Sequence, residues 1–149
     1  MFDGLIQKYS SKKLRYLAKH FKSMGITANF VTAVAFFLAI ICFISICFGY
    51  LYSAAVLILF NRFLDGLDGE LARQTEENKF GSFFDITSDF TFYALVPLGF
   101  ALYQPEENAI PTAFLLASFC LNSSSFLARA IIVEKYSLKE DKRGKGFFY

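Results

Sequence analysis

Apolar residues gather in four long stretches of the chain, and shorter polar segments separate these stretches. The four stretches cover residues 30–48, 51–73, 80–103 and 110–133. Each is close in length to the roughly 20 residues that a helix needs to cross a bilayer. The second stretch is apolar only as far as Phe60 and ends in a polar half, and the third contains two aspartates. The pattern therefore predicts an all-α integral membrane protein with four transmembrane helices.

The basic residues support this reading because they are sorted along the chain. All 15 fall in three blocks, which are 8–22, 62–79 and 129–145. Four spans place these blocks and both termini on one side of the membrane. The other side receives 48–51 and 103–111, whose only charges are Glu106 and Glu107. The positive-inside rule makes the basic side cytoplasmic, and a soluble helical bundle would not sort its charges in this way.

Residues 1–28 form a separate juxtamembrane segment that lacks the apolar core of a signal peptide. Its apolar positions recur at helical spacing among basic residues, at Leu14, Leu17, Ala18 and Phe21. This spacing predicts an amphipathic helix that lies in the membrane surface, with its apolar face toward the lipid and its cations toward anionic headgroups. A simple topology anchor is the alternative interpretation.

Composition agrees with a membrane protein. Hydrophobic residues make up 55% of the 149 residues and charged residues 19%, and the mean hydropathy is +0.42. Soluble domains carry about 25% charged residues. These values exclude a disordered chain, a collagen-like repeat and a disulfide-stapled secreted module. We expect the bilayer, and no nucleic acid, among the partners of this chain.

The residue inventory restricts the chemistry that is available. The three cysteines lie inside predicted spans without a Cys-x-x-Cys spacing, so we interpret them as small packing residues. The single histidine, His20, lies in the surface segment without an evident partner. Catalysis by a Ser-His-Asp or Cys-His arrangement is therefore not expected, and any chemistry must depend on carboxylates.

Carboxylates and small residues share one face on each of two consecutive helices. The face on the second predicted span consists of Asp65, Asp68, Gly69 and Ala72. The face on the third consists of Gly81, Asp85 and Asp89. Both sets follow the spacing of three, four, seven or eight residues that aligns side chains on a helix. The short connection 74–80 makes the helices antiparallel neighbours, so four carboxylates are expected near the cytoplasmic membrane surface.

Four neighbouring carboxylates need neutralising charge in a membrane. Protons, Arg73 or divalent cations could supply it, and oxygen ligands suit Mg²⁺, Mn²⁺ or Ca²⁺. The small residues leave these helix faces open for a bulky ligand, although close helix packing in lipid explains small residues equally well.

This pattern resembles the signature of the CDP-alcohol phosphotransferases, D-x-x-D-G-x-x-A-R, a short spacer and G-x-x-x-D-x-x-x-D. All eight fixed positions are filled, by Asp65, Asp68, Gly69, Ala72, Arg73, Gly81, Asp85 and Asp89. The segment 25–32 is similar to the Thr-Pro-Asn-type segment that many members carry before the first span, with Ala28 in place of proline.

The resemblance implies a transferase of phospholipid biosynthesis. Such enzymes use an acceptor hydroxyl to displace CMP from a CDP-linked lipid or alcohol, such as CDP-diacylglycerol, with Mg²⁺ or Mn²⁺ as the cofactor, as two ions. The implied metal ligands are Asp65, Asp68, Asp85 and Asp89. Asp89 is also the implied general base. The implied CDP site consists of Asn29, Gly69, Ala72, Arg73 and Gly81.

The acceptor is less well defined by the sequence. Members that act on inositol phosphate or glycerol phosphate often carry a basic residue directly after the last aspartate, but Phe90 follows Asp89 here. Arg129, near the end of the fourth span, is a candidate for binding an acceptor phosphate. It is equally well explained as a snorkelling charge that marks the end of the helix.

The sequence departs from the family in its number of spans. Family members have six, so residues 1–149 are expected to form a single but incomplete domain that lacks the last two spans. Those spans complete the acceptor pocket and the helix bundle, through which a homodimer could form. Two other functions remain open, namely a catalytically inactive truncated remnant and a cation-handling membrane protein.

Overall fold

The part of the chain that the structure describes folds into five helices. The computed structural model describes residues 14–75 and 79–136. In chain order the helices are α1 (described over 14–23), α2 (Ala28–Cys47), α3 (Leu51–Ala72), α4 (Lys79–Tyr103) and α5 (Pro105–Tyr136). No strand occurs in the part of the chain that the structure describes, which confirms the predicted all-α class. The predictions for 1–13, 76–78 and 137–149 lie outside the described residues.

Local sequence explains where the first helices begin and end. Thr27 caps α2, because its hydroxyl oxygen accepts the Phe30 N–H at 3.3 Å. Gly25 and Gly49 have φ of 77° and 76° and lie just after α1 and α2. Glycine is the residue that adopts this left-handed conformation at low cost, so each terminates the helix before it. Gly49 thereby allows a tight turn between α2 and α3.

Three helices are long and apolar enough to cross a membrane, over Ala28–Cys47, Phe80–Tyr103 and Pro105–Val133. These segments correspond to three of the four predicted spans. Helix α3 has 22 residues, but its second half contains Arg62, Asp65, Asp68 and Glu70 and is too polar to qualify by composition. Its role as a fourth span stays a prediction.

Helix α2 lies at the centre of the arrangement and packs against both α3 and α4, whereas α5 packs against α4. One apolar cluster joins α1, α2 and α3, around Ala18, Val31 and Leu67. A second cluster lies at the other end of α2, around Cys42, Ile46 and Ala54. In the most apolar 18-residue stretch of α5 no residue is buried within the protein, as expected for a surface that faces lipid or other helices.

The apolar face of α1 has a different partner from the one that the sequence suggested. Ala18 is fully buried, and Leu14, Leu17 and Phe21 pack around it against α2 and α3. The predicted apolar stripe is confirmed as the buried face, but it contacts protein rather than lipid. The reason is that the C-terminal half of α3 offers apolar positions of its own, including Leu67 and Leu71, on the side that faces α1.

Helix α5 begins earlier than predicted. The sequence suggested a loop over 103–111, but α5 starts at Pro105 and includes Pro111. Pro105 is tolerated because it lies in the first turn, where a backbone N–H has no hydrogen-bond partner within the helix. Glu106 and Glu107 also lie in that turn, where carboxylates interact favourably with the positive end of the helix dipole.

Candidate active site

Three carboxylates from two helices meet at one place. Asp65 and Asp68 lie one turn apart on α3, and Asp85 lies in the second turn of α4. One carboxylate oxygen from each residue lies within 4.8 Å of the other two. We refer to Asp65, Asp68 and Asp85 as the carboxylate triad. The structure therefore brings together three of the four predicted metal ligands.

Asp68 is the buried member of the triad, with 2% of its surface exposed. Its carboxylate accepts a hydrogen bond from the Thr32 hydroxyl on α2 at 2.8 Å, and another from the backbone N–H of Gly69. Asp65 and Asp85 are partly exposed. The triad is thus anchored on its inner side by protein hydrogen bonds and accessible on its outer side.

The geometry of the triad fits a divalent cation. Metal–oxygen distances are about 2.0–2.6 Å for Mg²⁺ and Ca²⁺, so two oxygens on one ion lie at most about 4–5 Å apart. The spacing of the triad oxygens reaches the upper part of that range. The donor set also consists entirely of oxygen, which suits Mg²⁺ or Mn²⁺. Aspartates of the triad could therefore hold such an ion with small side-chain movements.

Asp89 has a different partner. It lies one turn after Asp85 on α4, and its Oδ1 is 3.0 Å from Nη1 of Arg62 on α3. The same Nη1 lies 3.6 Å from Oδ2 of Asp65. Asp89 thus lies beside the triad but in an ion pair with arginine, and it is outside the group whose oxygens lie within 4.8 Å.

The Arg62 guanidinium is held on several sides. Its Nη2 donates to Oδ1 of Asn61 at 2.7 Å, and its carbon centre lies 4.1 Å from the centroid of the Phe92 ring. Its Nη1 also lies 3.3 Å from the Tyr93 hydroxyl. Asn61 is itself 2% exposed and donates to the backbone carbonyl of Ala35 at 2.6 Å. Arg62 is therefore a fixed positive charge at the edge of the triad.

The small residues of the motif have two different environments. A Cβ on Gly81 would lie 2.6 Å from Oδ1 of Asn29, so α2 and α4 approach closely at this point. A Cβ on Gly69 would meet only Nη1 of Arg73, at 3.8 Å, and Ala72 is exposed. Packing therefore explains the absence of a side chain at Gly81, whereas the described protein leaves open space at Gly69.

Arg73 pairs with a buried glutamate of the same motif. Its Nη2 is 2.7 Å from Oε2 of Glu70, and Nε of Arg15 on α1 is 3.1 Å from Oε1 of the same carboxylate. The Glu70 side chain is 5% exposed, whereas those of the two arginines are about two-thirds exposed, at 64% and 67%. Glu70 thus pairs with Arg73 of the same motif and with Arg15 of α1, and its pairing with Arg15 connects α3 to α1.

Arg129 lies on α5, far along the chain from the motif. Its side chain is exposed, and it has no hydrogen bond or ion pair to any other residue in 14–75 or 79–136. The structure does not bring Arg129 into contact with the triad, so its two interpretations stay open.

Several residues of the site were not identified from the sequence. Arg62 carries a signal that could have found it, because it lies three residues before Asp65 and shares its helix face. Thr32 lies one turn after Asn29 on α2, but nothing in its own segment indicates that it meets Asp68. Glu70 lies inside the motif at a variable position, and its burial depends on α1.

Comparison with known proteins identifies the family. The model of the CDP-alcohol phosphatidyltransferase family matches residues 25–146, which is most of the chain. The chain belongs to this family. The match contains the triad, Asp89, Arg62 and Thr32, and it confirms the resemblance that the motif indicated. Membership in the CDP-alcohol phosphatidyltransferase family makes transfer within phospholipid biosynthesis the general context for the site.

Two curated relatives were found at significant similarity. The inner membrane protein YnjF of Escherichia coli is 44% identical over 128 residues, which cover 84% of this chain and 61% of the relative. The archaetidylinositol phosphate synthase of Pyrococcus horikoshii is 34% identical over 112 residues, which cover 74% of this chain and 60% of the relative. The chain thus spans about three-fifths of the length of these CDP-alcohol phosphatidyltransferase relatives. No solved structure matches significantly.

Proposed function

We propose that this chain transfers a phosphatidyl or other substituted phosphate group from a CDP-alcohol to an acceptor hydroxyl and releases CMP. The observation that carries the proposal is the carboxylate triad, whose oxygens lie within 4.8 Å of one another and come from α3 and α4, which both pack against α2. Family membership supplies the reaction class. The relative named as an archaetidylinositol phosphate synthase supports a lipid product with a phosphorylated headgroup.

The triad would hold Mg²⁺ or Mn²⁺. Such an ion, when bound, supplies Lewis-acid stabilisation of the charge that develops on the diphosphate. Asp68 is the fixed ligand because Thr32 and the Gly69 N–H orient its carboxylate. Asp65 lies on α3 and Asp85 on α4, so the site depends on how both helices pack against α2. Asp65, Asp68 and Asp85 are thus the proposed ligands of the metal ion.

Asp89 is the proposed general base. In the transfer, the acceptor oxygen forms a bond to the phosphorus that carries the alcohol, and the bond from that phosphorus to the oxygen of CMP breaks. The hydroxyl proton goes to Asp89, and CMP leaves with the electron pair of the broken bond. Asp89 suits this role because its carboxylate is partly exposed, at 31%, and lies beside the triad. A second metal ion at Asp89 would require its carboxylate to leave Arg62.

The open end of the motif helix is the proposed site of the cytidine and phosphates. Gly69 and Ala72 border open space, and Arg73 lies next to them with an exposed guanidinium. Asn29 lies at the opposite side, where it touches Gly81. These residues surround the outer face of the triad, where a diphosphate would have to lie to reach an ion held there.

Arg129 is the proposed contact for an acceptor phosphate. Thr112 of α5 donates to the Pro97 carbonyl of α4 at 3.2 Å, and the Phe119 and Tyr93 rings lie 5.5 Å apart. If this antiparallel register continues, Arg129 lies at the level of residues 80–83, near the start of α4 and before Asp85. A phosphorylated acceptor held there would approach the triad from the side of α5.

The grouping of the triad also supports a transferase over a cation-handling protein. A cation pathway needs carboxylates at successive depths of the membrane, whereas the triad gathers at one level. The proposed orientation has four spans, including α3, and places the triad and both termini on the cytoplasmic side. Glu106 and Glu107 then lie on the opposite side.

Cysteine labelling tests this orientation. In a variant with Cys42, Cys47 and Cys120 replaced by alanine, single cysteines at Gln74 and Gln104 should react differently with an impermeant maleimide. In intact cells only the cysteine at position 104 should be labelled, and that at 74 only after the membrane is opened. Labelling of the cysteine at position 74 from outside would contradict a spanning α3.

Activity is tested with membranes that contain the chain, CDP-diacylglycerol and a panel of acceptor alcohols. We expect release of CMP only with an acceptor and with Mg²⁺ or Mn²⁺, and complete loss in Asp89→Asn. The matched control is Glu106→Gln, which also neutralises one carboxylate but lies at the far end of α4 and α5 and should retain activity. Metal-independent release, or full activity of Asp89→Asn, would overturn the assignment. Metal binding without any CMP release would favour the inactive remnant.

A further inference from the structure

Arg62 lies next to two carboxylates that have different proposed roles. Its Nη1 lies 3.0 Å from Asp89, the proposed base, and 3.6 Å from Asp65, a member of the triad. Arg62 lies outside the eight-residue motif, and the proposed reaction gives it no direct task. Its side chain is 29% exposed, so its charge is only partly screened by solvent.

The guanidinium is anchored independently of the carboxylates. Asn61 accepts hydrogen bonds from both Nη2 and Nε of Arg62, at 2.7 and 3.3 Å. The Phe92 ring lies 4.1 Å below the guanidinium carbon, at a distance typical of a cation–π contact. Asn61 is tied to the backbone of α2 at Ala35. The positive charge therefore stays in place whether or not Asp89 is paired with it.

A fixed cation next to a cation-binding group has two effects, and both weaken the binding of a metal ion. It repels a divalent ion in the triad, because like charges at short range interact unfavourably even in a medium of high permittivity. It also pairs with Asp89, and this ion pair competes with binding of a metal ion by that carboxylate. A single ion can then bind to three aspartates while the fourth remains available to the acceptor.

We propose that Arg62 is a positioning residue that holds Asp89 in an ion pair beside the Asp65–Asp68–Asp85 triad and thereby limits cation binding at the triad. The inference rests on the proposed function, because it takes the triad as the binding site of the divalent ion. It predicts that loss of the Arg62 charge strengthens metal binding while it weakens transfer.

The test measures Mn²⁺ binding to the full chain in detergent micelles by the electron paramagnetic resonance signal of free Mn²⁺. Arg62→Gln should bind Mn²⁺ at least about fivefold more tightly than the unaltered chain, or bind an additional ion, because Asp89 loses its partner and repulsion is removed. A variant that is merely unfolded would lose the binding site, so a gain in affinity separates positioning from a structural defect.

Two further variants separate charge from geometry. Arg62→Lys keeps the charge but cannot contact Asn61 and Asp89 at the same time through a planar fork. Its Mn²⁺ affinity should stay within about twofold, whereas CMP release should fall at least about tenfold, as expected for a displaced base. Arg15→Gln removes one positive charge that pairs with Glu70 instead of the triad, and its Mn²⁺ affinity should not change.

The outcomes distinguish the inference from the proposed function. Unchanged or weaker Mn²⁺ binding in Arg62→Gln, with normal binding by the unaltered chain, would overturn the inference alone. An equal gain in Arg15→Gln would also overturn it, because the effect would then reflect net charge. Absence of Mn²⁺ binding to the unaltered chain would overturn the metal site itself and the inference with it.

Discussion

Thr32 on α2 donates a hydrogen bond to Asp68 on α3 over 2.8 Å, and both residues are almost completely buried. The Thr32 side chain links the central helix to the inner ligand of the triad. A buried carboxylate with few donors is costly, so this contact orients Asp68 and stabilises its charged form. The contact also fixes how α2 and α3 are aligned at the site.

Replacing Thr32 tests this orientation. Thr32→Val retains the shape of the side chain but removes the donor, and Mn²⁺ affinity should fall about tenfold, within the range typical of residues that orient metal ligands. Thr32→Ser retains the hydroxyl and should bind Mn²⁺ nearly as the unaltered chain does. The measurement is Mn²⁺ titration in detergent micelles. Equal affinities for the valine and serine variants would show that Asp68 does not need this donor.

Gly81→Ala tests the contact between α4 and Asn29. The new Cβ would lie 2.6 Å from Oδ1 of Asn29, so the Asn29 side chain must move. If Asn29 binds the CDP moiety, KM for the CDP-alcohol should rise on the order of tenfold, or about 1.4 kcal/mol, with a smaller change in kcat. Initial rates of CMP release at varied substrate concentration provide the measurement.

Gly99→Ala is the matched control for this variant. A Cβ at Gly99 would lie 3.1 Å from Ile46, in the cluster at the other end of α2. It should lower thermal stability and leave KM unchanged. A similar rise of KM in both variants would mean that Gly81→Ala acts through general loosening of the helix packing rather than through Asn29.

The helices could be predicted from the sequence because the length of an apolar stretch and the position of a turn-forming residue are properties of one short segment. The four stretches, the turn at Gly49 and the shared face of Asp65 and Asp68 depend on periodicity within one segment. Asp85 joins them because α3 and α4 are connected by a short segment and both pack against α2. The sequence therefore predicted that the three aspartates of the triad meet, although it placed Asp89 in the same group.

Contacts between distant segments could not be predicted in the same way. Whether the apolar face of α1 packs against protein depends on whether α3 has an apolar face next to it. The amphipathic pattern of α1 alone does not show whether its apolar face contacts protein or lipid. The pairing of Asp89 with Arg62 depends on the rotation of α3 relative to α4. The motif is complete on both helices, but nothing in it indicates that Asp89 pairs with Arg62.

The ion-pair network around Glu70 gives a prediction about stability. Arg15→Ala alone should cost no more than about 1 kcal/mol, because the Arg15 side chain is 64% exposed and Arg73 still pairs with Glu70. The double variant Arg15→Ala/Arg73→Ala leaves a buried carboxylate without its two partners, which should cost about 3–5 kcal/mol. Adding Glu70→Gln should recover a large part of that loss. Unfolding in detergent, followed by circular dichroism, measures each variant, and additive effects of the two arginines would contradict a shared buried partner.

The turn between α2 and α3 needs glycine at position 49 for two reasons, the backbone conformation and the contact with Tyr103, and these can be measured separately. Gly49 has φ of 76°, and a Cβ there would lie 2.7 Å from Cε2 of Tyr103, at the end of α4. Gly49→Ala should therefore suffer both the left-handed backbone penalty of about 1–2 kcal/mol and a collision with the ring. In a Tyr103→Ala background only the backbone penalty should remain. A double-mutant cycle on the free energy of unfolding measures the difference. A coupling energy of zero would mean that the ring moves aside without cost, so that the turn, and not its contact with α4, determines the need for glycine.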